Sequence, residues 1–183
     1  MRPIIITGGP GAGKTTLVDA LERQGYQTYA EGSRTLIVQQ SAIEAGILPW
    51  HDLVGFAQLC LDLMSSQKAA AIASKQLAFM DRAIPDICGY LNKGGLVVSE
   101  TYRQASLGYH PQVFFCRPHG DIYVQDDVRP YPFEEALEIH AELVTSYQAL
   151  GYEVVEVPWG TVEQRVEFVV GEIKELSTDG LRP

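Results

Sequence analysis

Short runs of β-branched and aromatic residues alternate along this chain with longer stretches whose apolar positions recur every three or four residues. That alternation predicts βα units and a parallel sheet. The first run, Ile4-Ile5-Ile6, leads into a glycine-rich turn and then into Leu17, Val18 and Leu21 at helical spacing, with Gly25 ending the helix. Residues 26–30 read as a second strand. The pattern over residues 34–45 and 50–73 is helical, with Phe56, Leu59, Cys60 and Leu63 on one face and residues 46–49 as the break. A crossover between parallel strands needs only about a dozen residues in one helix. Residues from about 32 to 75 are therefore an insertion, expected to close over a second substrate, with Gln58 and Gln67 able to reach it or to face solvent.

Residues 76–80 read as a third, fully buried strand, and residues 83–91 as a helix closed by Asn92-Lys93-Gly94-Gly95. Leu96-Val97-Val98 is too short to assign. Residues 112–116 are the fourth strand. Residues 117–132, rich in Pro, Asp and Gly, are long for a simple connection, and long loops at a ligand edge often serve as lids. A helix over residues 133–150 has Ala136, Leu137, His140, Leu143, Val144 and Tyr147 as its inner side. Residues 152–157 are the fifth strand, Thr161 caps a last helix ending near residue 176, and residues 177–183 are expected to fray.

With 183 residues, 46% of them apolar, the chain can bury one good core, so one α/β domain over residues 1–183 is expected. A net charge of -9, with only 14 Lys and Arg and no basic run, removes the electrostatic footprint of a nucleic-acid binder. Cys60, Cys88 and Cys116 are odd in number and lack C-x-x-C spacing, which predicts free thiols in a reducing compartment. No apolar run approaches the roughly 18 residues of a membrane span, and Met1-Arg2-Pro3 leads directly into the first strand, so a cytoplasmic location without membrane contact is expected. The histidines have no metal-ligand spacing.

The glycine-rich turn carries the chemistry. Gly8 to Thr15 match G-x-x-x-x-G-K-[ST], the Walker A pattern of a phosphate-binding loop, between a strand and a helix start. Gly8, Gly11 and Gly13 permit backbone angles that turn successive N–H groups inward as an anion nest, in which Gly9, Pro10, Ala12 and Thr16 also take part. Lys14 is expected to reach the β and γ phosphates of a nucleoside triphosphate and the Thr15 hydroxyl to ligate Mg²⁺. No G-x-G-x-x-G dinucleotide fingerprint can be placed. Strand three delivers Asp81-Arg82 beside this loop if it neighbours strand one. Asp81 would then orient the metal or accept the proton of an attacking hydroxyl, and Arg82 would grip a phosphate. Glu31 and Arg34 at the end of strand two, with Arg82 and Asp86, form the candidate acceptor side. A GTP switch would need N-K-x-D, and residues 92–95 lack the aspartate; a motor ATPase would have Glu after Asp81, where Arg82 stands. The expected partners are thus ATP and a small nucleoside-, nucleotide- or riboside-like acceptor, the alternative being an ATPase or a catalytically quiet nucleotide-binding module.

Beyond single motifs, the chain resembles the NadR-like AAA domain family of ATPases and small-molecule kinases. The likeness rests on ITGGPGAGKTTL (Ile6 to Leu17), the Glu31 to Arg34 segment, FMDRAIPD (Phe79 to Asp86) with Tyr90, VRPYPFEEA (Val128 to Ala136) and LGYEVVEVP (Leu150 to Pro158). It implies a P-loop NTPase fold of the nucleotide-kinase type, a three-layer α/β/α sandwich whose five parallel strands run in the order 2-3-1-4-5. It further implies Mg-ATP as phosphoryl donor and a lid arginine at Arg129, so that Lys14, Asp81 and Arg129 are the expected catalytic residues. A lid arginine contributes mainly when charge develops on the transferred phosphoryl. Arg129→Ala should therefore lower the turnover rate more than ATP affinity, as steady-state kinetics and ATP titration would show; lost affinity with full rate at saturation would reassign it to ground-state binding.

Overall fold

The computed structural model describes residues 1–124 and 132–179. Five strands, β1 (Ile4–Thr7), β2 (Gln27–Tyr29), β3 (Ala78–Asp81), β4 (Gln112–Cys116) and β5 (Glu153–Val157), form one parallel sheet in the order β2-β3-β1-β4-β5. The described residues also form seven α-helices: α1 (Lys14–Arg23), α2 (Gly32–Ser41), α3 (Leu53–Ser74), α4 (Ile84–Lys93), α5 (Glu100–Ala105), α6 (Phe133–Ala149) and α7 (Val162–Asp179). This is the expected α/β sandwich and strand order.

Strand alternation assigns side chains to two cores, one on each face. In β1, Ile4 and Ile6 join Phe79, Phe114 and Cys116 under α1 and α7, while Ile5 joins Met80, Val113 and Phe115 on the face covered by α3, α4 and α6. Because both faces are covered, the central strands read as unbroken apolar runs. The register sets Ile6 opposite Asp81 and Thr7 opposite Phe115, so the segment leaving β1 emerges between the ends of β3 and β4. Open α/β sheets bind ligands in such a crevice.

Several boundaries differ from the pattern prediction. Helix α2 starts at Gly32, leaving Glu31 as its cap residue, and stops at Ser41 because the Gln40 side chain accepts from the Ile47 N–H at 2.9 Å and pulls the chain off the helix axis. Lys75, in the left-handed region at φ 57°, ends α3. Strand β3 includes Asp81 itself. Helix α5 is too short for its apolar spacing to betray it; Tyr102 and Ala105 pack on the core, and Lys68 Nζ donates to the carbonyls of Ala105 and Leu107. On α6 the buried face includes Ile139 and Ser146, with Leu137 and Val144 only half-buried. Helix α7 continues to Asp179, past its predicted end. Of the expected lid, residues 125–131, Arg129 among them, lie outside the described residues.

One polar cluster crosses the second core. Asp86, in the first turn of α4, accepts from Thr7 Oγ1 of β1, from Arg82 Nη1 at 2.9 Å, from the Ala83 N–H at 2.9 Å and from the Tyr147 hydroxyl of α6 at 2.6 Å. Both carboxylate oxygens are engaged, and the carboxylate ties β1, α4 and α6 together while facing a cation that is 4% exposed. Asp86→Ala should cost about 3–5 kcal/mol in urea unfolding, because it leaves buried charge without its partner, whereas Tyr147→Phe, which deletes one donor, should cost only about 1 kcal/mol. Equal, small losses would show that Asp86 does not hold these elements together.

Candidate active site

The loop between β1 and α1 owes its shape to its glycines. Gly8 has φ 132°, and a Cβ there would lie 1.9 Å from the Cys116 carbonyl oxygen. Gly13, at φ 67°, caps α1 in the left-handed conformation. Neither position tolerates a side chain, and the result is a ring of backbone around the N-terminus of a ten-residue helix, where N–H groups and dipole favour an anion. Lys14, 5% exposed, extends back along the loop, its Nζ donating to the Gly9 carbonyl at 2.8 Å. Burial draws its ammonium down to about 8, with Arg82 adding to the effect and Glu31 and Asp81 opposing it.

Two groups that the sequence did not reveal grip the loop from behind. His140 Nδ1 on α6 accepts from the Gly9 N–H at 3.3 Å, and burial, with Arg117 and Lys14 nearby, pushes its imidazole down to about 4, so it remains a neutral acceptor at physiological pH. Arg165 on α7 donates to the Ala12 carbonyl at 3.0 Å and the Gly13 carbonyl at 3.4 Å. Its guanidinium lies 5.9 Å over the Trp159 ring, which stacks on His119 at 3.8 Å. His140 stood on the predicted inner face of its helix, but nothing in the local pattern around Arg165 distinguishes it from a surface arginine.

Asp81 ends β3 beside the start of α1. Its Oδ2 accepts from Thr15 Oγ1 at 2.8 Å, while its buried Oδ1 has no hydrogen-bond partner. Burial raises the carboxyl to about 6, with Glu31 adding to the rise and Lys14, Arg82 and the Thr15 hydroxyl opposing it. This hydroxyl–carboxylate pair suits Mg²⁺, which keeps several waters and binds through one or two protein oxygens plus phosphate rather than a full protein cage. Among the described residues no group of three His, Cys, Asp or Glu side chains offers such a cage.

Arg82, at φ 64°, continues the ladder by donating its N–H to the Ile6 carbonyl at 3.0 Å. Its Nε donates to Glu31 Oε1 at 3.1 Å, and the same oxygen accepts from Ser33 Oγ at 2.9 Å. Tyr90 lies under the guanidinium, 5.6 Å away. Glu31, Arg34, Arg82, Asp86, the loop and Thr15 all line one cavity of about 540 Å³ that runs on between α3 and α4. Asp86 contributes to the wall with both oxygens occupied, so it acts on the cavity through Arg82. Gln58 and Gln67 do not line it: Gln58 Nε2 donates to Asp62 and Gln67 Nε2 to the Ala30 carbonyl.

A glycine-lined anion nest on the first strand of a 2-3-1-4-5 parallel sheet, with a carboxylate on the adjacent strand reaching the loop threonine, defines a P-loop NTPase of nucleotide-kinase-like fold. A family model described as an AAA domain matches residues 3–165, and the chain belongs to that family. None of the curated proteins matches it. Among solved structures, the NadR protein in complex with NR aligns with a TM-score of 0.68 at 18% identity, covering 95% of this chain and 51% of that one. The present chain thus spans about half the length of that protein. A thymidylate kinase from Ehrlichia chaffeensis aligns at 0.55 and 15% identity, covering 94% of this chain and all of its own. A deoxyadenosine kinase from M. mycoides with bound dATP aligns at 0.54 and 16% identity, covering 95% of this chain and all of its own.

A buried lysine with a depressed pKa makes a definite claim on stability. Between about pH 8 and 10.5 the folded chain binds fewer protons than the unfolded one, so this group's contribution rises with pH across that window and is least favourable below it. Lys14→Met should therefore stabilise the ligand-free protein by about 1–3 kcal/mol at neutral pH, with the gap closing toward pH 10, while Mg-ATP affinity falls at least tenfold. Thermal melts across pH and ATP titration measure both; a variant less stable than wild type at pH 7 would contradict the electrostatic account.

Proposed function

We propose that the protein is a kinase that transfers the γ-phosphoryl of Mg-ATP to a hydroxyl of a small acceptor. The observation that carries this reading is that the glycine-rich loop, Thr15 with Asp81 bonded behind it, and the Glu31–Arg82 pair stand along one cavity lined by the loop, Thr15, Glu31 and Arg82, which suits a donor and an acceptor lying end to end. The fold of the nucleoside and nucleotide kinases with which the chain aligns supports the same class.

In this reading the nest and Lys14 bind the β and γ phosphates and hold the chain's positive charge where negative charge shifts during transfer. Bound Mg²⁺, held by Thr15 and oriented through Asp81, would neutralise phosphate charge. The two carboxylates divide the remaining work. Asp81 is 1% exposed behind the loop and does not line the cavity, so the acceptor's hydroxyl proton falls to Glu31, which does line it and is oriented by Arg82 and Ser33. Arg82 keeps Glu31 aimed, and Arg34 on the first turn of α2 completes the acceptor side. Phosphoryl transfer through a loose transition state needs positioning and charge neutralisation more than a strong base.

The test is acceptor-dependent ADP formation across a panel of nucleosides, nucleotides, ribosides and simple alcohols, with single-turnover transfer for the variants. Asp81→Asn should reduce transfer by 100-fold or more and raise the Mg²⁺ requirement. Glu31→Gln should reduce it by about 10²–10⁴-fold, the range of general-base contributions, while leaving ATP affinity within a few-fold. ATP hydrolysis at the same rate with and without every acceptor would instead support the ATPase reading.

A further inference from the structure

The cavity continues past the phosphate loop into a chamber of different character. Helix α3 enters it after Asp52, whose side chain accepts from the Gly55 N–H at 2.8 Å. From there Leu53, Phe56, Ala57, Cys60 and Met64, at helical spacing, present an entirely apolar wall. Ile87 and Leu91 of α4 line the chamber as well, and Trp50, half-exposed in the turn before α3, stands at its margin. Glu31, Ser33 and Arg82 are joined to one another by hydrogen bonds at the end of β2 and β3, with Tyr90 under the arginine. The charged side chains Lys14, Arg34, Asp86, Lys93 and Glu135 also line the cavity, away from the α3 wall in sequence, and Lys93 is tied to Glu138 at 2.8 Å.

No Asn, Gln or His side chain lines this cavity among the described residues. The two amides of α3 that might have reached it are spent on Asp62 and on the Ala30 carbonyl. A nucleobase edge carries several donors and acceptors that lose water on entry, and sites that select a base meet them with matching polar groups; an edge set against an apolar wall is left unsatisfied. An uncharged ring gains on the same wall through buried area, aromatic contact and the Met64 thioether.

We propose that the acceptor is a hydroxyl compound whose body is an uncharged apolar ring system seated against α3, with its hydroxyl at the Glu31–Arg82 end. The assignment of the hydroxyl rests on the kinase reading; the apolar body rests on the chamber wall alone. Binding is therefore measured without ATP, on the whole chain, using the neutral fluorescent probe 2-naphthalenemethanol. The probe binds saturably at one site, and thymidine, cytidine and adenosine displace it at least tenfold more weakly than 2-phenylethanol or other neutral aryl alcohols do. Met64→Gln, which sets an amide into the wall, weakens probe binding at least tenfold. Leu53→Asn, at a half-buried position that the fold tolerates more readily, does the same by about fivefold, with melting cooperativity unchanged in both. A nucleoside that binds more tightly than the aryl alcohols, or both variants binding the probe as wild type does, overturns the inference. If acceptor-dependent ADP formation nevertheless occurs with that nucleoside, the kinase reading survives; if the probe binds as described and no acceptor in the panel supports ADP formation, the kinase reading fails while the chamber assignment stands.

Discussion

The register between β1 and β3 is the constraint on which the site depends. With Ile6 opposite Asp81, the two strands end level, and the carboxylate at the end of one comes within hydrogen-bonding distance of the hydroxyl at the start of the helix following the other. A slip of one residue would turn Asp81 to the opposite face and move Ile5 and Met80 out of their shared core. Apolar packing on both faces of the sheet therefore fixes the position of the site's polar groups, and the ladder bond from Arg82 to the Ile6 carbonyl carries the same register one residue further, delivering Arg82 to Glu31 and Asp86.

That arrangement holds charges where water is scarce. Lys14 and Arg82 are buried beside Asp81 and Asp86, with Glu31 at the edge of the group. Arg82 is committed by geometry: paired with two carboxylates and lying over Tyr90, it holds Glu31 at the cavity wall. Lys14 donates to the Gly9 carbonyl rather than to a carboxylate, and its depressed pKa reflects a charge that the ligand-free fold accommodates poorly. The Asp81 carboxyl is raised for the same reason, with one oxygen unmatched. These are strains of a kind that anionic phosphate and a divalent cation would relieve, which is why stability and binding should respond in opposite directions when the lysine is removed.

Much of this could be read from the chain because the informative signals are local. The loop is defined by residue types within one turn, and the central strands by apolar runs that are buried on both faces, so the loop and the strands were legible locally, whereas the strand order came with the family resemblance. What was not legible depends on distance or on outside support. His140 and Arg165 reach the loop from 131 and 153 residues away in sequence, and no local spacing marks them. Helix α5 is too short to show a periodic pattern, and a lysine from another helix caps its end. Glu31 and Asp81 were both recognised as candidates, but the division between them required knowing that one is bonded to Thr15 and the other to Arg82. The α3 glutamines suited helix surface better than the site, and the hydrogen bonds they make keep them off the cavity.

The central claim is that a triphosphate in the nest, a metal at Thr15 and Asp81, and a hydroxyl at Glu31 share one cavity. A crystal structure with Mg²⁺ and a non-hydrolysable ATP analogue tests it most directly. The account predicts phosphates ringed by residues 8–16, Mg²⁺ on the Thr15 hydroxyl with Asp81 in its coordination or hydration shell, and the γ-phosphate facing Glu31 across the open chamber. Phosphates bound outside the nest, or a metal carried by Glu31 with Asp81 still bonded to Thr15, would contradict it.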